Sequence, residues 1–285
     1  MKFPPFDYVR VGTVAEAVDC LSDDEDAKVL AGGQSLLPLM ALRLARPSVL
    51  IDIASLDLAG VELDQGVLTL GGLVRHSALL DDPAVQTHAP LLTAAAAHVG
   101  HPAIRHRGTL AGSLAHADPA AELAAAAVAL DATVTVQGPD GLRSLTAADL
   151  IDGYFTNNLQ MGEVIVAIVV PAAATGQGTA FCEWAPRVGD FAEVGVGMAV
   201  DPGEDGACAS VRAATCGVGS APLSIGRRLE TLLIGTTDPS PAQLADAARI
   251  GSQAAVEAGA DEDKTQLTGL LTARAVWRAF VGMSR

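Results

Sequence analysis

Two short glycine-bearing segments, about 75 residues apart, hold the groups of this chain best placed to do chemistry: Ala31-Gly32-Gly33-Gln34-Ser35 and Gly108-Thr109-Leu110-Ala111-Gly112-Ser113. Glycine lacks a Cβ, reaches positive φ at little cost and lets another group come close to the main chain. Successive N–H groups in such a turn can point together at the oxygens of a phosphate. Ser35, Thr109 and Ser113 add hydroxyls, and no lysine or arginine follows the last glycine of either segment at once. The chemistry this favours is an uncharged grip on a diphosphate, and a doubled grip suits a dinucleotide. The competing reading of the first segment is a tight strand-to-helix corner with no ligand.

Other chemistries are disfavoured. A Walker loop would place Lys-Ser or Lys-Thr where Ser35-Leu36-Leu37 stand, and the G-x-G-x-x-G fingerprint is missing. No Ser-His-Asp order and no carboxylate pair points to hydrolysis. Cys20, Cys182, Cys208 and Cys216 are widely spaced, and His101, His106 and His116 fit no standard ligand pattern. The sequence therefore predicts no metal site in this chain and cysteines that stay reduced and packed.

For the turns to act, the chain must hold each one between an extended and a helical segment. Val29-Leu30-Ala31 reads as a strand end, and residues 36–45 carry apolar side chains at helical spacing until Arg46-Pro47. Ser35 is the expected N-cap, its hydroxyl bonding the Leu37 N–H or a phosphate. The second segment lies between alanine-rich helices at 94–97 and 123–130, and Asp118 before Pro119 is expected to cap the next helix. More widely, residues 1–54 read as a βαββ-like unit, with strands at 6–10, 27–31 and 49–52 and a helix at 14–21. Residues 55–173 read as a larger unit, with strands at 60–63, 67–71, 133–137 and 164–170 and helices at 77–80 and 91–98. A Pro- and Gly-containing stretch at 171–178 reads as a linker. Beyond it, strands at 179–185, 193–200 and 208–217 form an expected meander, followed by helices at 241–258 and 268–281.

The motifs together resemble a known family. Ala31-Gly32-Gly33-Gln34-Ser35-Leu36-Leu37-Pro38, Ile104-Arg105-His106-Arg107-Gly108-Thr109-Leu110-Ala111-Gly112-Ser113 and Asp118-Pro119-Ala120 are similar to the FAD-binding medium subunits of molybdenum hydroxylases, the carbon monoxide dehydrogenase and xanthine dehydrogenase family. The likeness runs on through Tyr154-Phe155-Thr156, Gly162-Glu163 and Gly189-Asp190-Phe191-Ala192. It implies an α+β fold: a two-part FAD-binding domain of the PCMH/VAO-like type over 1–173, divided near 54, and a smaller α+β C-terminal domain of antiparallel strands and helices over 179–285.

It also implies noncovalent FAD. Ala31, Gly32, Gly33, Gln34 and Ser35 match the first pyrophosphate loop, with Leu36 and Leu37 opening the helix behind it. Ile104 leads into the second loop, which spans Thr109, Ala111, Gly112 and Ser113. Asp118 matches an acidic residue near the flavin ring and ribityl chain, and Ile165 an apolar position near the adenine. Arg187 and Phe191 fall in the segment that approaches the isoalloxazine. Ala111 stands where the family usually has glycine, and would be strained if that position needed positive φ.

The implied function is electron transfer. Iron–sulfur clusters on a small 2Fe-2S partner would reduce the flavin after a large partner with the molybdenum cofactor has oxidised a substrate, the three chains assembling as a dimer of heterotrimers. An external acceptor would reoxidise the flavin, and no catalytic residue is expected in this chain. The rivals are a self-contained FAD-dependent oxidase and a nonenzymatic assembly scaffold. Carbon monoxide, purines, other N-heterocycles and aldehydes all remain open as substrates, with Gln34 and Ala41 inclining toward an N-heterocycle. With 18 basic and 33 acidic residues the formal charge is −15, which disfavours nucleic acid and anionic membranes as partners. No apolar run of spanning length occurs, so a soluble cytoplasmic protein is expected.

Overall fold

Two crossovers build the N-terminal unit. In the computed structural model, which describes residues 3–283, β1 (Asp7–Arg10) is followed by α1 (Val14–Asp23), β2 (Lys28–Leu30), α2 (Leu36–Ala41) and β3 (Val49–Asp52). The Thr13 hydroxyl caps α1 by accepting from the Glu16 N–H, and Ala17 and Val18 bury its inner face. β3 lies between β1 and β2 and runs parallel to both. The first glycine turn thus leaves the carboxyl end of a parallel strand, where α/β sheets commonly bind ligands.

The helix after that turn is shorter than the apolar spacing suggests. It ends at Ala41, and Arg43 at φ 60° reverses the chain while the N–H groups of Leu44 and Ala45 both reach Leu39 O. Leu42 and Leu44 are 58% and 73% exposed, so no buried face rewards a further turn of helix.

The middle unit opens with a hairpin of β4 (Val61–Asp64) and β5 (Val67–Gly71). Six short helices follow: α3 (His76–Asp81), α4 (Pro83–His88), α5 (Pro90–Ala96), α6 (Pro102–Arg105), α7 (Leu110–His116) and α8 (Glu122–Ala129). Proline opens α4, α5 and α6, where its missing N–H breaks no bond, so each proline resets the axis. Then come β6 (Thr133–Gly138), β7 (Gly141–Thr146), α9 (Ala147–Leu150), the small hairpin of β8 (Ile151–Gly153) and β9 (Thr156–Asn157), and β10 (Val164–Pro171). β10 inserts between β5 and β6, completing an antiparallel sheet in the order β4-β5-β10-β6-β7. A bulge between Ile165 and Ala167 bends it where the Gly72 N–H reaches Val166 O.

The C-terminal unit is the expected meander, β11 (Gly178–Trp184), β12 (Val194–Pro202), β13 (Cys208–Cys216) and β14 (Leu223–Ser224), followed by α10 (Gly226–Leu233), α11 (Pro241–Glu257) and α12 (Glu262–Met283). Ser240 and Gln243 close a capping box at the start of α11.

Packing joins what the sequence divides. Every residue of α8 is buried, as expected of a helix apolar on all sides after its first residue. Its alanines let β12 and β13 approach closely. One hydrophobic core therefore runs from Leu68, Leu92 and Leu123 of the middle unit into Phe181, Ala199 and Cys216 of the C-terminal sheet. The four cysteines are unpaired, and Cys182, Cys208 and Cys216 are buried. No described helix is long and apolar enough to cross a membrane.

Candidate functional site

The two glycine turns meet. A Cβ on Gly32 would lie 2.4 Å from Arg107 O and 2.8 Å from Gly108 Cα, so only glycine permits this backbone contact. Gly108 is also close against the His76 ring, since a Cβ there would lie 2.7 Å from His76 Cε1. The His76 N–H to Gly108 O bond and the Leu110 N–H to Val74 O bond, 3.0 and 3.1 Å long, tie the second turn to the start of α3. Segments 75 residues apart in sequence thereby form one wall of a cleft of about 740 Å³.

The first turn leaves its donors bare. Gly33 takes φ +71°, and its carbonyl accepts from the Leu37 N–H at 3.2 Å. Among the described residues, no acceptor pairs with the N–H groups of Gly32, Gly33, Gln34, Ser35 or Leu36. Ser35 stands at the N-cap position without the expected capping bond. Its backbone is already helical, φ −104° and ψ −48°, which carries the hydroxyl away from the turn's amides. Buried or ligand-facing amides demand partners, so this row has the chemistry to receive acceptor oxygens.

The second turn is more self-sufficient than expected. The Thr109 hydroxyl caps α7 by accepting from the Gly112 N–H at 3.0 Å, and Thr109 O accepts from the Ser113 N–H at 3.0 Å. The N–H groups of Thr109 and Ala111 have no such partner among the described residues. Ala111 lies within α7, not at positive φ, so alanine is unstrained there and buries its methyl. The two turns are therefore unequal: the first offers a run of amides and the second fewer.

Asp118 also departs from expectation. It does not cap α8, which starts four residues later behind Ala121; its Oδ1 instead accepts from the Ala120 N–H at 2.9 Å in a tight turn. Ala117 precedes it in the left-handed region at φ 51°, which swings the chain away from α7 before α8 begins.

Most of the residues singled out from the sequence line the cleft: Ala31, Gly32, Gly33, Gln34, Ser35, Leu36, Ile104, Thr109, Ala111, Gly112, Ser113, Asp118, Ile165 and Phe191. Leu37 and Arg187 do not. The Leu37 side chain turns back beneath Gly33, its Cδ1 3.0 Å from where a Cβ would stand. Arg187 is exposed at the base of a loop that reaches the cleft through Gly189, Asp190 and Phe191. Gly189, at φ +86°, packs that loop on the His101 ring, and Phe191 is 74% exposed at the rim.

Sequence reasoning missed His76 and Glu122, which also line the cleft. The His76 ring nitrogens are buried with no hydrogen-bond partner within range among the described residues, and burial holds its pKa below the usual imidazole value, with the Thr109 backbone opposing that shift and Arg105 and Arg75 adding to it. Glu122 is 7% exposed, and burial pushes its pKa up to about 7. The available clue was an acid directly ahead of a run of alanines that could only be core. Glu122→Gln is expected to raise stability at pH 8 by up to about 3 kcal/mol. The sign follows from a folded pKa above the unfolded one: the penalty is absent below about pH 4.5, accumulates toward pH 7 and is constant beyond. Thermal melts of both proteins at pH 4 and pH 8 check this, the gain appearing only at the higher pH.

The cleft suits an elongated phosphorylated coenzyme, with bare amides for a diphosphate and apolar walls at Ile53, Leu159, Ile165 and Phe191 for rings. These features define a nucleotide-coenzyme site set between packed units. The family described as the FAD binding domain in molybdopterin dehydrogenase matches residues 4–173. The chain is 41% identical over 239 residues to the 6-hydroxypseudooxynicotine dehydrogenase complex subunit alpha of Paenarthrobacter nicotinovorans, covering 83% of this chain and 80% of that one. It is 34% identical to the carbon monoxide dehydrogenase medium chain of Hydrogenophaga pseudoflava, covering 96% of each. The structure matches that of quinoline 2-oxidoreductase from Pseudomonas putida 86 with TM-score 0.91 at 34% identity, covering all of both chains. The chain belongs to this family, the FAD-binding medium subunits of molybdenum-containing oxidoreductases.

Proposed function

We propose that this chain holds FAD noncovalently in the cleft and relays electrons from the iron–sulfur clusters of a small partner subunit to an external acceptor. The observation that carries the reading is the row of unpaired amides from Gly32 to Leu36, set against Gly108. In this arrangement the first turn grips the diphosphate, and Thr109, Ala111 and Ser113 add donors from the second. Ile165 packs against the adenine end. The loop bearing Phe191 covers the flavin ring, near Asp118 and Glu122. Bound FAD supplies an electron store that accepts and releases electrons singly or in pairs.

The chain's residues bind, orient and shield, and substrate oxidation belongs to a large partner carrying the molybdenum cofactor. We assign residues 1–173 to FAD binding and 179–285 to a C-terminal domain closing over the ring, within a cytoplasmic dimer of heterotrimers. An N-heterocycle is the substrate class this reading favours. Relatives named for nicotine-type substrates, the 6-hydroxypseudooxynicotine dehydrogenase subunit and the nicotine 6-hydroxylase medium subunit, reach 41% and 42% identity, against 34% for a carbon monoxide dehydrogenase chain.

Purification of the native complex tests the assembly. It is expected to show a flavin spectrum, a small chain with 2Fe-2S clusters and a large chain with molybdenum, and to oxidise an N-heterocycle. The isolated FAD-loaded chain is expected to be inert toward the same compound. Turnover by the isolated chain would establish the self-contained oxidase in its place.

A further inference from the structure

A buried group of titratable side chains sits behind the cleft wall, and coenzyme binding makes no use of most of it. Glu122, the first residue of α8, borders the cleft. On β11, at the seam between the helical layer and the C-terminal sheet, the Glu183 side chain is only 6% exposed. Its Oε1 lies 3.7 Å from His98 Nδ1, and its Oε2 has no hydrogen-bond partner among the described residues. The His98 side chain, just past α5, is 38% exposed and leans its ring on Phe181, with centroids 5.4 Å apart. Cys216 on β13 is buried where the charges of Glu122 and Glu183 both act on it. Asp118 adds repulsion on Glu122, and Arg278 on α12 opposes a charge on His98. Arg274 and Arg278 otherwise bear on Cys182, whose Sγ accepts from Arg278 at 3.9 Å.

Two carboxylates and a single imidazole opening to water share this seam, so a charge on any one of them bears on the others. Such a group shares protons and answers to any new charge beside it. A negative charge appearing in the cleft strengthens the hold of the nearest acids on a proton, and His98 gives the seam its contact with solvent.

Resting on the reading of the cleft as the FAD site, we propose that Glu122, Glu183 and His98 form a charge-compensating proton site that binds a proton from solvent when the flavin gains electrons. The balance is simple. Two electrons arrive from one-electron donors, the iron–sulfur clusters of the partner or a chemical reductant in their place. One proton goes to the flavin, which is then an anion near neutral pH. A second proton leaves water and forms an O–H bond on a carboxylate of the cluster, so the cleft gains no net charge. Burial already brings Glu122 to about 7, and the neighbouring Glu183 carboxylate raises His98.

Photoreduction of the FAD-loaded full chain in weakly buffered solution, followed with a pH indicator, counts the protons taken up per flavin reduced. Free FAD measured in parallel is the reference. The chain is expected to exceed free FAD by roughly half a proton at the maximum, between about pH 7 and 8. Glu183→Gln, and His98→Gln at the more open position, are each expected to remove at least half of that excess with flavin content unchanged. A wild-type count equal to that of free FAD, or an excess that both variants keep, overturns the proposal. A chain that holds no flavin overturns the reading of the cleft, and this proposal with it.

Discussion

Gly32→Val is expected to strip the chain of FAD while leaving its fold in place. The Cβ at position 32 would stand 2.4 Å from Arg107 O and 2.8 Å from Gly108 Cα, and backbone atoms cannot swing aside as a side-chain end can. The second turn is tethered where it stands, because Gly108 packs on the His76 ring, its carbonyl accepts from the His76 N–H, and Arg75 Nη1 donates to the same Arg107 carbonyl. The two turns must therefore part, and the row of amides loses its backing. FAD affinity is expected to fall by about 100-fold or more, equivalent to about 2.7 kcal/mol, with far-UV circular dichroism of the apoprotein unchanged. Gly33→Ala is the graded comparison. Its Cβ would meet side-chain atoms alone, Leu37 Cδ1 at 3.0 Å and Leu30 Cδ1 at 3.2 Å, so the main cost is that of a φ of +71°, about 1–2 kcal/mol and about tenfold in affinity. Fluorescence titration with FAD measures both variants. A Gly32→Val affinity within tenfold of wild type would remove the clasp from the account.

The turns were legible in the sequence because their chemistry is local: glycines, a strand end and a helix start lie within a few residues. Val164 to Val170 was legible too, since a long β-branched run can scarcely be anything but a buried strand. β7 was not, because its residues alternate between exposed and half-buried at a sheet edge and carry little apolar pattern. α4 and α6 hid behind prolines that read as breaks although they serve as first residues. α10 is short, and its opening Gly226-Arg227-Arg228 gives no helix cap. Glu122 escaped for a different reason. Its burial is imposed by β12 and β13, which pack on α8 from far along the chain, and no local pattern reports that. The contact of Gly32 with Gly108 is of the same kind: each glycine was visible, but not that one needs the other.

Gly178→Val tests how far the shared core binds the units together. A Cβ at position 178 would lie 1.9 Å from Ala279 O and 2.8 Å from Met283 N, so β11 and the last turns of α12 touch backbone to backbone. α12 buries Leu271, Ala275, Val276, Ala279 and Met283 against the sheet. It meets α11 equally closely, where a Cβ on Gly251 would stand 2.3 Å from Thr272 Oγ1. With no small shift available, valine has to push α12 outward and expose that face, at a cost of about 3 kcal/mol or more. That corresponds to a fall in Tm of roughly 6–12 °C for a chain of this size. Because Phe181 on the same strand belongs to the core that includes Leu92 and Leu123, the loss is expected to appear in one cooperative transition, with flavin released at the same temperature at which structure is lost. Two transitions, with only one of them lowered, would mean that the C-terminal unit melts alone and that the continuity of the core through α8 does not couple it to the cleft. The outcome also separates the two glycines: position 32 governs whether the coenzyme is held by a folded chain, and position 178 governs whether there is a folded chain to hold it.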